Sequence, residues 1–309
     1  MTNYLITIIG PTAIGKTALS IQLAQHFNCD IISCDSRQFY KETAIGTAVP
    51  SEEELAAARH HFIQNKSILD TYNVGDFERD AIEKLEELFL ENNVQIMVGG
   101  SGLYVNAVLN GFDDFPEIDE SIRTKLNTDF EVKGLDYLVE TLKELDLTYY
   151  NYIAENNSQT FKNPQRMKRF VEVCIGTGKP YSSFLKKKTN TRNFTPIIIG
   201  LEADREVMYD RIEQRVDIMM NEGLLKEVET VFPHKNLNAL QTVGYRELFD
   251  FLEDKTTLDF AVEEIKKNTR RFAKRQITWF KRTENTEWYN FPFDVSKIIT
   301  HIEHKTKKL

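Results

Sequence analysis

The stretch Gly10-Pro11-Thr12-Ala13-Ile14-Gly15-Lys16-Thr17 constrains this chain more than any other. It fits G-x-x-x-x-G-K-[ST], and it does so in the required setting. The β-rich run Tyr4 to Ile9 precedes it, and the helical pattern Ala18-Leu19-Ile21-Leu23-Ala24 follows. Backbone N–H groups of such a loop approach a diphosphate, the helix N-terminus adds a positive dipole, Lys16 places a mobile charge and Thr17 is a candidate Mg²⁺ ligand. The pattern requires a phosphate-rich ligand but does not choose ATP. A glycine turn that merely matches the pattern is the competing reading.

The strand-loop-helix unit also sets the fold class. Asp30 to Cys34 reads as a second buried strand and Val94 to Val98 as a third, preceded by the amphipathic stretch Phe77 to Leu90. Alternation of this kind predicts an α/β fold of the P-loop NTPase type, a parallel sheet flanked by helices. From Phe115 to Lys188 the period turns helical, as in Leu135-Leu138-Leu142-Leu145 and Pro164 to Thr177, and predicts a helical insertion domain. Strand character returns at Pro196 to Leu201, ahead of a long helix with Asp204 as N-cap that ends near Asn221. Leu258 to Arg282 is a further helix. The expected organisation is a core over 1–114, an insertion over 115–190 and the rest of the core over 191–309.

A chain of 309 residues with 41% hydrophobic and 28% charged residues buries a sizeable core. No apolar run reaches membrane-spanning length and no signal peptide is evident, so the expected location is cytoplasmic and no membrane partner is expected. Cys29, Cys34 and Cys174 lack C-x-x-C spacing and indicate neither a disulfide framework nor a zinc site. The adjacent pair His60-His61 is not a metal motif either, because adjacent residues on a helix point apart.

The formal net charge of -8 argues against a polyanionic partner until its distribution is considered. Eight basic residues and no acid lie between Lys266 and Arg282, and eight against the single Glu172 lie between Phe161 and Lys188. These are two local positive fields on an acidic body. On the C-terminal segment Lys267, Arg270, Arg271 and Lys274 recur at helical spacing beside Phe272, Trp279 and Phe280, so a basic face is expected to track phosphates. A solvated helix face is the alternative.

Ordinary P-loop ATPases place an acid at the end of a later strand, but here Gly99-Gly100-Ser101-Gly102 stands there. The nearest comparable acid is Asp35, just past the second strand. It is a candidate for water-mediated metal binding or for accepting a proton, and an Asp capping a turn is an equal alternative from position alone.

Eight segments in order resemble the successive motifs of the tRNA dimethylallyltransferase family. They are the phosphate loop, Asp35 to Tyr40, Ile45 to Ala48, Gly99 to Tyr104, Pro164-Gln165-Arg166, Arg211 to Arg215, Val243 to Arg246 and Lys274 to Trp279. The resemblance implies that the loop holds the diphosphate of dimethylallyl diphosphate, with Mg²⁺, and that tRNA is the acceptor. It implies Asp35 as general base toward an adenine N6, with Ser101 (usually threonine in the family) and Arg215 also catalytic. It further implies tRNA contacts at Asp35-Ser36-Arg37-Gln38, Ser101, Arg123, Gln165-Arg166-Met167-Lys168-Arg169, Gln241-Thr242-Val243-Gly244-Tyr245-Arg246 and Lys274-Arg275-Gln276-Ile277-Thr278-Trp279-Phe280-Lys281.

By the same resemblance the acceptor is the adenine 3′ of the anticodon in tRNAs reading U-initial codons. A monomer with no obligate protein partner is expected. Arg37, Val49, Gln64 and Asn163 depart from the family's usual residues, which bears on substrate preference more than on reaction class. A small-molecule P-loop kinase, an adenine-nucleotide prenyltransferase and a non-catalytic tRNA-binding protein are the rivals. The helical insertion and basic tail weigh against the first, the Pro164 and Lys274 segments against the second, and intact Lys16, Thr17, Asp35, Ser101 and Arg215 against the third.

Overall fold

A computed structural model describes residues 2–113, 115–185 and 192–307, so Lys186, Lys187 and Lys188 of the second basic segment, and the expected boundary at 190/191, lie outside the described residues. The chain forms two compact units, Met1–Asn110 with Thr191–Leu309, and Gly111–Asn190.

The first unit is built on one six-stranded sheet. Its strands are β1 (Tyr4–Ile9), β2 (Ile31–Ser33), β3 (His60–His61), β4 (Val94–Gly99), β5 (Thr195–Glu202) and β6 (Thr286–Asn290), all parallel, in the order β3-β2-β4-β1-β5-β6. Every residue of β1 and β4 is buried, which is why these strands read as continuous apolar runs rather than alternating ones. Successive side chains still go to opposite faces. Ile6, Ile8, Ile96, Ile197 and Ile199 pack in one core cluster, and Leu5, Ile9, Met97 and Ile198 in the other.

Helices cover both faces. They are α1 (Lys16–Phe27), α2 (Glu52–Ala57), α3 (Val74–Glu91) and α4 (Gly102–Asn110) in the N-terminal half. In the second unit come α5 (Glu120–Leu145), α6 (Leu147–Asn157) and α7 (Pro164–Thr177), after which the first unit resumes with α8 (Arg205–Asn221), α9 (Leu224–Val231), α10 (Tyr245–Leu252), α11 (Leu258–Phe280) and α12 (Val295–Lys307). Asn73 and Asp76 close a reciprocal capping box on α3, and the Thr257 hydroxyl accepts from the Phe260 N–H to start α11. Asp204 does sit at the N-cap of α8, but its side chain makes no capping hydrogen bond. A third apolar cluster joins α8 to α11 through Val216, Leu224, Tyr245, Leu248 and Ile265.

The second unit packs α5, α6 and α7 about Leu126, Leu138, Leu142, Ile153, Met167 and Phe170. Gly134, at φ 76°, breaks α5 into two helical runs. Buried Asp146 caps α6 through the Tyr149 N–H (2.9 Å) and also accepts from the Ser182 N–H (2.7 Å) and hydroxyl (3.0 Å). Asn163, one of the departures noted above, accepts from the Arg166 N–H at 3.2 Å and caps α7, with Pro164 at its first turn.

Two expectations need correction. The histidine pair forms a strand, not a helix: His61 Nε2 lies 2.8 Å from Asp30 Oδ2 and His60 Nδ1 2.8 Å from the Ala58 carbonyl, so the two rings have separate partners. The core also gains β6 and α12 beyond the basic helix. No helix among the described residues is long and apolar enough to cross a membrane.

Candidate active site

The phosphate loop leaves the C-terminal end of β1, and Gly15, in the left-handed region at φ 101°, turns it into α1. Lys16 folds back over the loop, its ammonium donating to the carbonyls of Gly10 (3.1 Å) and Pro11 (2.7 Å). Burial pulls its pKa down to about 8, against the charge of nearby Asp35, while Arg215 adds to the fall. Such an ammonium lacks a full counter-charge, which suits the loop to an anionic ligand.

Asp35 follows β2 directly, and Oδ1 accepts from the Arg37 N–H at 3.1 Å. That is the turn-capping bond left open as an alternative. It coexists with a second feature, because Asp35 lines two cavities at once. One, of about 650 Å³, is walled by the loop residues Thr12 to Ala18, the 44–55 segment and Arg211. The other, of about 470 Å³, is walled by Ser101, Leu103, Tyr104, Thr242, Arg246, Arg275 and Trp279. Both cavities have Thr12, Asp35, Thr47, Ala48, Arg215, Met219, Phe272 and Gln276 in their walls. Asp35 and Arg215 therefore stand at a junction between the phosphate-loop chamber and a smaller, partly apolar one.

Arg215 is part-buried on α8, and burial lowers the pKa of its guanidinium, with Asp35 and then Glu54 opposing the shift. One turn earlier on the same helix, Arg211 donates from Nε to the Ala13 carbonyl at 2.8 Å and lies over the Phe291 ring. Its motif was visible in the sequence, yet only Arg215 was assigned a role. The i, i+4 spacing puts both guanidinium groups on the face of α8 that meets the loop.

The glycines after β4 are explained by what approaches them. A Cβ at Gly100 would lie 2.4 Å from Gln276 Nε2, and one at Gly102 would lie 2.3 Å from the Trp279 ring, so α11 packs directly on this backbone. Ser101, between them, accepts from the Ser36 N–H at 3.0 Å and shares a hydroxyl contact of 3.0 Å with Ser36. Its hydroxyl thus fixes the turn that carries Asp35.

Sequence reasoning missed Glu227. Its carboxylate accepts from the N–H groups of Ile45 (2.7 Å) and Gly46 (2.9 Å) and from the Tyr245 hydroxyl (2.6 Å). Gln38 holds the same loop by donating to the carbonyls of Thr47 (3.1 Å) and Ala48 (2.7 Å). No motif flags a lone helical glutamate whose partners are backbone amides 181 and 182 residues away. Replacing Glu227 by alanine is expected to cost about 1–3 kcal/mol of stability by leaving several donors unpaired, read as a lower denaturation midpoint at unchanged m.

The remaining expected contact residues separate by exposure and by unit. Arg123, Gln165, Arg166, Lys168 and Arg169 belong to the helical unit, where Arg123 (2.6 Å) and Arg169 (3.0 Å) both pair with buried Glu172. The side chains of Met167, Tyr245 and Phe280 are in apolar cores, and Gln276 is 6% exposed. At these four positions the side chain is not a surface contact, because the helix period that exposes Arg166, Lys274 and Arg275 turns them inward. Arg37 ties its loop to the carbonyls of Asn238 (2.8 Å) and Ala239 (3.0 Å). Val49 and Gln64 both line the phosphate chamber.

The basic stretch also needs correction. It contains no acid, but acids from neighbouring turns and from α8 neutralise part of it. Lys266 pairs with Asp217 (2.8 Å) and Glu263 (3.3 Å), Lys267 with Glu264 (2.6 Å), Arg270 with Glu213 (2.5 Å) and Lys281 with Glu202 (2.8 Å). Arg271, Lys274 and Arg275 have no acidic partner among the described residues.

The profile of the family described as IPP transferase matches residues 38–283. The chain belongs to the IPP transferase family. It is 69% identical over 305 residues to the tRNA dimethylallyltransferase of Flavobacterium psychrophilum and 66% identical to that of Flavobacterium johnsoniae, covering 99% of each chain in both alignments. Among solved structures it resembles the full-length tRNA isopentenylpyrophosphate transferase of Bacillus halodurans, with a TM-score of 0.71, 34% identity and coverage of 99% of this chain and 96% of that one. It also resembles a eukaryotic dimethylallyltransferase acting on tRNA, with a TM-score of 0.77, 25% identity and coverage of 99% and 78%. The IPP transferase fold is thus shared along nearly the whole chain.

Proposed function

We propose that this IPP transferase moves a dimethylallyl group from dimethylallyl diphosphate to N6 of the adenine 3′ of the anticodon, in tRNAs reading U-initial codons. The observation that carries the reading is the position of Asp35, at the junction between a phosphate-loop chamber and a second cavity with aromatic walls.

The diphosphate occupies the chamber of Lys16, Thr17 and Arg211, with its allylic end toward Met219 and Phe272. The adenine arrives from the other cavity. Leaving the anticodon stack costs a few kcal/mol, as for other enzymes that act on extruded bases. Its amino lone pair is conjugated with the ring, so attack needs the proton removed as the bond forms. N6 forms a bond to C1 of the donor, the C1–O bond breaks, the N6 proton passes to Asp35, and diphosphate departs with the bonding pair. Lys16, Arg215 and the loop amides balance the charge gained by the leaving group.

Thr17, in the first turn of α1, lines the phosphate-loop chamber, and among the described residues no group of three or more His, Cys, Asp or Glu could hold an ion. The Thr17 hydroxyl would be this chain's ligand to a Mg²⁺ ion that arrives with the diphosphate. Bound there, such an ion would supply Lewis-acid stabilisation to a departing diphosphate. The tRNA lies against the exposed cations of α11 and those of the helical unit, and the protein works in the cytoplasm as a monomer.

The test is a transfer assay with labelled dimethylallyl diphosphate or ATP as donor, and tRNA, AMP or no acceptor. Label moving from the allylic donor to N6 of tRNA adenine is expected. Transfer from ATP, or to AMP in preference to tRNA, overturns the reading. Because Lys267 is paired, the salt-dependent grip is expected at Arg271, Lys274 and Arg275. Changing Lys274 and Arg275 to glutamine should lower the salt slope of tRNA binding by about one unit each, and changing Lys267 should alter it far less.

A further inference from the structure

We propose that Gln276 is a positioning residue that makes the diphosphate site and the outer side of α11 sense one another. The proposal rests on the reading above, in which the phosphate chamber holds the diphosphate and α11 faces tRNA. Gln276 is buried, yet Lys274, Arg275, Thr278 and Trp279 around it are exposed. Its amide is used at both ends. Oε1 accepts from the Thr12 N–H at 2.9 Å, and Nε2 donates to the Gly100 carbonyl at 2.9 Å.

Both partners are main-chain groups, 264 and 176 residues away in sequence, and each belongs to a segment that forms the site. Thr12 is inside the phosphate loop. Gly100 precedes Ser101, which orients the Asp35 turn through Ser36. A side chain that donates and accepts from one planar group is needed to satisfy both, which restricts the choice to an amide of this length. Gly100 makes room for it, since a Cβ there would lie 2.4 Å from Nε2.

One turn later the Trp279 ring rests on Gly102, so α11 meets this loop at two points, one on each side of Ser101. A displacement of α11 by RNA bound at Lys274 and Arg275 is therefore passed to Thr12, Gly100 and Ser101 by direct contact. Coupling of two binding sites is reciprocal. If tRNA tightens the diphosphate site by some factor, diphosphate tightens tRNA binding by the same factor.

The experiment measures the dissociation constant of inorganic pyrophosphate, with Mg²⁺, in the absence of tRNA and at saturating tRNA. It compares the wild-type chain with Gln276→Met, which keeps the bulk and removes both hydrogen bonds, and with Gln276→Asn, which keeps the amide and withdraws it from both partners. Thermal denaturation confirms that each variant is folded, and either folded variant suffices. The wild-type affinity should change by at least about fivefold on adding tRNA, with a reciprocal change in tRNA affinity, and the factor should fall to near one in the variants. A role in stability alone would lower the melting temperature and both affinities while leaving the factor intact, and that result overturns the proposal. So does a wild-type chain that binds both molecules independently. A wild-type chain that binds pyrophosphate neither alone nor with tRNA, or that does not bind tRNA, contradicts the functional reading itself, and this inference with it.

Discussion

Replacing Asp35 by asparagine is expected to lower turnover on tRNA by about a thousandfold while leaving tRNA and pyrophosphate affinity within about threefold of wild type. The substitution keeps the shape, and its side-chain oxygen still accepts from the Arg37 N–H, so the turn after β2 survives. What it removes is the carboxylate proposed to accept the N6 proton at the junction of the two cavities. Single-turnover rates with saturating substrates make the measurement. If turnover is retained, Asp35 only caps its turn.

Replacing Lys16 by alanine should weaken pyrophosphate binding by about a hundredfold, the range of a charge-assisted contact in a buried site. Transfer should slow with it, and tRNA affinity should stay within about twofold because the phosphate loop is on the other side of the junction. The pH dependence gives an independent check. Burial lowers the Lys16 pKa to about 8, so the empty site loses its ammonium as pH rises through that value. Wild-type affinity for pyrophosphate, corrected for the ligand's own ionisation, should therefore decline as pH rises through about 8. In Lys16→Ala that decline should vanish. An unchanged pH profile in the variant would assign the titration to another group.

The phosphate loop, the buried strands and the helical stretch were legible in the sequence because each follows from local chemistry. Glycine spacing, continuous apolar runs and a 3.6-residue period need no knowledge of distant partners. The edge strand β6 was not legible, since Thr286-Glu287-Trp288-Tyr289-Asn290 is only half-buried and carries polar residues at its ends. His60-His61 is too short a strand to show a period.

At the site, Lys16, Thr17 and Asp35 were singled out from motif context and Arg215 from the family resemblance, and all four line the phosphate-loop chamber. Glu227 and the bridging role of Gln276 were hidden, because what defines them is a bond to a backbone amide far away in sequence. The charge on α11 was misjudged because its counter-ions lie outside the acid-free stretch, on α8, on α11 one turn before it, and on β5 in the case of Lys281.

A structure of the chain with tRNA and a non-reactive thio analogue of dimethylallyl diphosphate tests the meeting of two substrates at Asp35 most directly. The expected result is a diphosphate on Lys16 and the loop amides, an allylic carbon facing the second cavity, and an adenine N6 within hydrogen-bond distance of the Asp35 carboxylate. An adenine entering through the phosphate chamber, or an N6 group out of reach of Asp35, would contradict it.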